Sequence, residues 1–185
     1  MSAEARTIYL IGGCNGAGKT TFAKEFLPTE LKCLRFLNPD EIARGISPLD
    51  PNAGMFAGGR ILLQQFRNYV ARGESFTFES TLSGRTYVGL LREAKAVGFQ
   101  LEAHYLVLPD SGFAIRRVKA RVKMGGHDVS DEDVRRRFHR SRENFVKCYL
   151  PLADRWVIWN GATHPPDELA TSEKDDMNYV SGLLL

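Results

Sequence analysis

Residues 8–21 read IYLIGGCNGAGKTT. An apolar run at 8–11 gives way to glycines, and a helix-compatible stretch at 21–26 follows. Residues 13–20 fit GxxxxGKT in the context that motif requires, a strand before it and a helix N-terminus after it. Glycines let successive backbone N–H groups point into one concavity, and the helix adds its positive dipole end to the same spot. Such a concavity selects phosphate. Lys19 is expected to reach the β- and γ-phosphates of ATP, and the Thr20 hydroxyl to take one position on Mg²⁺. Gly13, Asn15, Gly16, Ala17, Gly18, Lys19, Thr20 and Thr21 are therefore the candidate nucleotide-binding residues. An ordinary glycine-rich turn accounts for neither the Lys-Thr pair nor the flanking strand.

The remainder of the chain bounds what such a loop serves. Its 185 residues suffice for one well-buried core, and no stretch reads as a linker, so residues 1–185 are expected to form a single domain. Cys14, Cys33 and Cys148 are odd in number and form no CxxC pair, which implies neither a disulfide framework nor a cysteine zinc site. None of His104, His127, His139 and His164 has a metal-ligand spacing. With no signal-like segment and no run approaching the ~20 apolar residues that span a bilayer, a soluble cytoplasmic protein is expected. The net charge is only +3, yet residues 116–142 hold ten Lys/Arg against four acids. Something negative is expected there, although most charge runs are simply solvated helix faces.

Short apolar, β-branched or aromatic runs at 7–11, 33–37, 75–78, 100–108 and 156–159 alternate with helical patterns. That alternation predicts an α/β three-layer fold around a mostly parallel five-stranded sheet. Helices are expected at about 53–72 and 85–97, ended by Gly73 and Gly98 as C-caps. Two further helices, from 113–124 and from Ser130 onward, flank Gly125-Gly126 and carry clustered arginines, an arrangement read as a lid over about 113–150. No function is assigned to the tail, about 171–185.

In open α/β sheets ligands bind beyond the carboxyl ends of the strands. Asn38-Pro39-Asp40-Glu41-Ile42-Ala43-Arg44 follows the second strand, and Glu79-Ser80-Thr81-Leu82-Ser83-Gly84-Arg85 the third. Phosphoryl transfer to a hydroxyl needs cations that follow the migrating charge and usually a carboxylate that accepts the proton. Asp40 is the candidate base, its alternative role being to cap the helix that starts there. Glu79 is placed for Mg²⁺ or for substrate hydroxyls, with Thr81 beside it, and Arg44 and Arg85 are candidates for an anionic group on the acceptor. From the lid, Arg121 is expected to meet the transferring group, with Arg136 and Arg137 offering a second contact and Arg136 taken as the catalytic one. His127 lies in the glycine hinge, and Asn160 is placed to border the adenine.

Assembled, the segments GGCNGAGKTTFAKEFLP, FLNPDEIARG, FTFESTLSGR and RVKMGGHDVSDEDVRRRF make residues 8–161 resemble the zeta-toxin family of P-loop kinases, in particular its short stand-alone bacterial members. The resemblance implies an ATP-dependent kinase acting on a sugar hydroxyl of UDP-N-acetylglucosamine, and an antitoxin protein that blocks the nucleotide site. It implies Asp40 as base, Lys19 and Thr20 as phosphate and Mg²⁺ ligands, Glu79 and Arg85 on the acceptor side, and Arg121 as a lid arginine. The chain departs from the family where the second lid arginine falls near His127, leaving Arg136 to substitute, and where an acid of the long second helix is replaced by Arg60. Other open readings are a kinase for a nucleoside, nucleotide or antibiotic, a nucleic-acid-associated NTPase and a regulatory nucleotide-binding module. Nucleic acid is disfavoured because the basic segment lacks an aromatic stacking surface.

Overall fold

A computed structural model describes residues 5–126 and 128–185. The strands are β1 (Thr7–Gly12), β2 (Phe36–Leu37), β3 (Phe76–Ser80), β4 (Gln100–Val107), β5 (Arg155–Asn160) and β6 (Asp167–Thr171). They form one sheet in the order β2-β3-β1-β4-β5-β6, parallel throughout except that β6 runs antiparallel to β5. The sheet thus has six strands, not the five expected. Segment 33–37 contributes only two residues, because Lys32 is left-handed at φ 49° and Leu34 is 77% exposed.

The helices are α1 (Lys19–Phe26), α2 (Pro39–Ile46), α3 (Pro51–Arg72), α4 (Thr86–Ala96), α5 (Ser111–Lys123), α6 (Asp131–Asn144) and α7 (Met177–Leu184). Their ends follow local chemistry. Asp110, Ser130 and Asp176 cap α5, α6 and α7 by accepting from the backbone N–H three residues on. Gly73 ends α3 in the left-handed region at φ 67°. A π-helical turn, Phe145–Tyr149, continues α6. The tail segment is ordered too: α7 buries Val180 and Leu184 in the core.

Strand alternation divides the apolar residues between two layers. Ile8, Leu10, Phe76, Phe78, Leu101, Ala103 and Ile158 meet α3, α4, the π-turn and α7, while Ile11 and Leu106 meet α1, α5 and the start of α6. The second layer also holds a buried polar chain. Trp159 Nε1 donates to His104 Nδ1 at 3.2 Å, leaving Nε2 to donate to Glu102 at 3.1 Å. Phe22, Phe26 and Trp159 surround that imidazole.

Helix α2, which carries Asp40, is held in place by close backbone contact with α3. A Cβ at Gly54 would lie 2.5 Å from the Ala43 carbonyl oxygen, and one at Gly58 would lie 3.0 Å from that of Pro39. Nothing lies within 4 Å of a Cβ at Gly59. Ala is ordinarily favoured over Gly inside a helix by about 1 kcal/mol, so Gly59→Ala should stabilise the fold by roughly that much. Gly54→Ala should instead destabilise it by about 1–3 kcal/mol, as overpacking does. Urea unfolding of the two variants checks the opposite signs.

Candidate nucleotide and acceptor site

The phosphate loop connects β1 to α1 beyond the carboxyl edge of the sheet. Gly16 has φ 79°, and a Cβ there would meet the Ala114 carbonyl at 2.8 Å, so α5 packs on the loop only because that residue is glycine. Lys19 is buried, and its Nζ donates to the Cys14 carbonyl at 3.1 Å, folding the ammonium over the loop. The Thr20 hydroxyl donates to Glu79 Oε2 at 2.9 Å and accepts from Asn38 Nδ2 at 3.3 Å.

Asn38 uses both ends of its amide. While Nδ2 holds Thr20, Oδ1 accepts from the Asp40 and Glu41 N–H groups at 2.8 and 3.2 Å and caps α2. Asp40 is therefore not the cap. It sits in the first turn with an exposed carboxylate. Asn38 carries the cap and the link to the phosphate loop; the signal available for it was Asn before Pro at a helix start.

A cleft of about 350 Å³ runs over this arrangement. The loop residues Asn15, Gly16, Gly18, Lys19, Thr20 and Thr21 form its floor, Asp40, Glu79 and Thr81 one wall, and Arg117 and Arg121 of α5 the other. A second cavity of about 270 Å³ adjoins it. The two share Asn15, Pro39, Asp40, Ser80 and Thr81. A shallower recess on the far side of the loop is lined by Ala17, Thr21, Phe22, Arg117, Gly161 and His164. Arg117 joins the two sides, lining both the cleft and the recess and donating to the Gly161 carbonyl.

The other expected residues are placed as follows. Gly13, at φ 145°, is packed under the loop against the Leu106 carbonyl. Arg136 lies 2.5 Å from Asp133, is 56% exposed and lines neither cavity. Arg137, 29% exposed, lines the second cavity. With Val134 and Phe138 turned inward, helical phase puts residue 137 beside the cleft and 136 outside it. Arg44 pairs with Glu41 at 3.7 Å on the surface. Arg85 Nε donates to Asn144 at 3.2 Å, and Asn160 Oδ1 accepts from Ala162 N at 3.1 Å, so both brace turns. Arg60 is exposed on α3. His127 lies outside the described residues.

Residues 80–85 are held from α6 and the π-turn. Leu82, fully buried, has the left-handed φ of 55°. Its carbonyl accepts from Asn144 Nδ2 at 2.9 Å, and the Gly84 carbonyl accepts from the Tyr149 hydroxyl at 2.8 Å. The Thr81 hydroxyl, which lines both cavities, is in contact with that of Ser83 at 3.0 Å.

Residues 8–145 match the family AAA_33, described as an AAA domain, and the chain belongs to that family as a P-loop, kinase-like domain. An uncharacterized protein of Haemophilus influenzae is 31% identical over 126 residues, which span 68% of this chain and 88% of that protein. A structure from work on the PezAT chromosomal toxin-antitoxin system of Streptococcus pneumoniae superposes with a TM-score of 0.76 at 14% identity, covering 100% of this chain and 80% of that one. A candidate kinase from Chloroflexus aurantiacus j-10-fl does so with a TM-score of 0.66 at 17% identity, covering 97% of each chain. At these identities the likeness to the two structures is one of fold.

Burial pushes the Glu79 carboxyl above its ordinary value, against the nearby Lys19 charge and the Thr20 hydrogen bond, which lower it. The folded chain therefore holds this proton more tightly than the unfolded chain, and the associated stability is lost as pH rises. Glu79→Gln removes that titration. Its melting temperature relative to the unsubstituted protein, measured without nucleotide or metal, should rise from pH 4.5 to pH 7. A pH-independent difference would contradict the role of burial.

Proposed function

We propose that the protein is an ATP- and Mg²⁺-dependent phosphotransferase that moves the γ-phosphoryl group of ATP to a hydroxyl of a small molecule. The observation that carries this reading is the pair of adjoining cavities with Asp40 in their common wall. An enzyme that only hydrolyses ATP needs room for the nucleotide and a water. A kinase needs a second compartment, with a proton acceptor where the two meet.

The residues divide the work by position. Loop N–H groups and Lys19 hold the phosphates, Arg117 and Arg121 face them from α5, and Gly161 and His164 border the recess where the base would lie. The Thr20 hydroxyl and the Glu79 carboxylate offer the hard oxygen donors that suit Mg²⁺, and Asn38 leaves Thr20 one lone pair for it. Bound with ATP, Mg²⁺ supplies neutralisation of charge on the β- and γ-phosphates. Asp40 accepts the acceptor's hydroxyl proton late in a loose transition state, when the hydroxyl has become acidic as the new bond forms.

The zeta-toxin resemblance makes the sugar hydroxyl of UDP-N-acetylglucosamine the first acceptor to test. The same resemblance implies an antitoxin partner that blocks the nucleotide site, and the fold likeness to a structure from a toxin-antitoxin system fits a partner of that kind. ADP release is measured with ATP, Mg²⁺ and a panel of nucleotide sugars, sugar phosphates, nucleosides and nucleotides. Acceptor-dependent release supports the reading, whereas release stimulated only by oligonucleotides favours a nucleic-acid-associated NTPase.

Asp40→Asn preserves shape and leaves the Asn38 cap intact, so stability should change by less than about 0.5 kcal/mol. Phosphorylation of the acceptor should fall roughly 10²-fold or more. Calorimetry should show Mg-ATP bound as before. Transfer at the unsubstituted rate would remove Asp40 from the chemistry.

A further inference from the structure

We infer that the second cavity selects an acceptor bearing an anionic oxygen group, phosphate or carboxylate, and that Arg137 of α6 is the residue that reads it. The inference rests on the kinase reading above and specifies its substrate class. Among the described residues, the charged side chains lining this cavity are Asp40 and Arg137. Asp40 belongs to the reacting end, so an anionic substituent belongs at the other.

The environment of Arg137 leaves it available for that task. Its contact with Asp133 is 3.8 Å, at the limit of an ion pair, because Arg136 takes the same carboxylate at 2.5 Å. One carboxylate therefore serves two guanidiniums, and Arg137 holds the weaker share. A guanidinium presents its donors as a planar fork that matches two oxygens of a phosphate or carboxylate. Asn15, only 8% exposed, lines the same cavity, and its Oδ1 has no hydrogen-bond partner among the described residues. That oxygen is an acceptor, so it suits a hydroxyl of the acceptor's carbon frame and leaves the anionic group to Arg137.

Size and wall chemistry describe the rest of the acceptor. About 270 Å³ lies just under the roughly 300–1,000 Å³ typical of pockets that enclose drug-sized ligands. A sugar-sized alcohol with one anionic group suits that volume, and any larger part of an acceptor extends outside. Met55 and Tyr87 supply an apolar wall for its carbon frame, with Tyr87 backed by Phe78 at 5.0 Å between ring centroids.

The test keeps the nucleotide cleft filled, so that anions do not report the phosphate loop. Protein saturated with Mg²⁺ and a non-hydrolysable ATP analogue is titrated calorimetrically with glucose, glucose 1-phosphate and glucuronate, and with uridine against uridine monophosphate. Anionic members should bind roughly 10-fold or more tightly than their neutral counterparts, the scale of one charge-assisted hydrogen bond. Arg137→Ala should abolish that preference and Arg137→Lys should weaken it, whereas Arg140→Ala, which removes an exposed cation from the same helix, should preserve it. With turnover as readout, Arg137→Ala should raise KM for the anionic acceptor more than it lowers kcat. Equal or absent binding of neutral and anionic members overturns the inference, as does a fall in kcat with KM unmoved. Anion binding through Arg137 without transfer to any acceptor would leave the cavity's anion selectivity standing and sink the kinase reading instead.

Discussion

The side chain of Asn38 joins three parts of the molecule that sequence separates. Its oxygen starts α2, its nitrogen holds the Thr20 hydroxyl, and that hydroxyl in turn holds Glu79 at the end of β3. Asn38 is buried, so each bond is shielded from competing water and an unmet partner would carry a desolvation penalty. Around this link the phosphate loop, the Asp40 helix and the strand-end acid keep one spacing. Gly54 and Gly58 do the same from behind, letting α3 press on α2 backbone to backbone.

The two apolar layers give these contacts a fixed frame. The layer under α3 and α4 is rich in Phe and Leu, whereas the layer under α1 and α5 is built from smaller residues around the loop and admits the Glu102–His104–Trp159 chain. The reactive edge lies where the two layers meet the ends of β1 and β3. Arg117 crosses from α5 to the Gly161 carbonyl there, so the helix bearing Arg121 is tethered at the start of its exposed face.

Local signals were the legible ones. The phosphate loop, the helix ends at Gly73 and Ser130 and the α/β alternation all depend on a few consecutive residues, and the structure has them. Strand β6 was not legible because Asp-Glu-Leu-Ala-Thr lies at the sheet edge with its first three residues exposed and contains no apolar run. The choice between Arg136 and Arg137 depends on helical phase, which shifts by 100° per residue and is set by which neighbours find the core. Asp40 and Asn38 compete as caps in sequence, and only the backbone hydrogen bonds separate them. Arg85 and Asn160 follow strands, as ligand-binding residues do, but their partners are distant or local polar groups.

The bonds from Asn144 and Tyr149 to the carbonyls of Leu82 and Gly84 tie a short surface loop to the register of a helix some sixty residues later. Loops ordinarily tolerate insertion because little else depends on their length. This one does not have that freedom: one extra residue at 80–85 would leave both carbonyls facing the wrong side chains, and unwinding the π-turn, which sets the phase of Tyr149, would break the bond to Gly84. A change of length in one segment is therefore viable only with a matching change in the other.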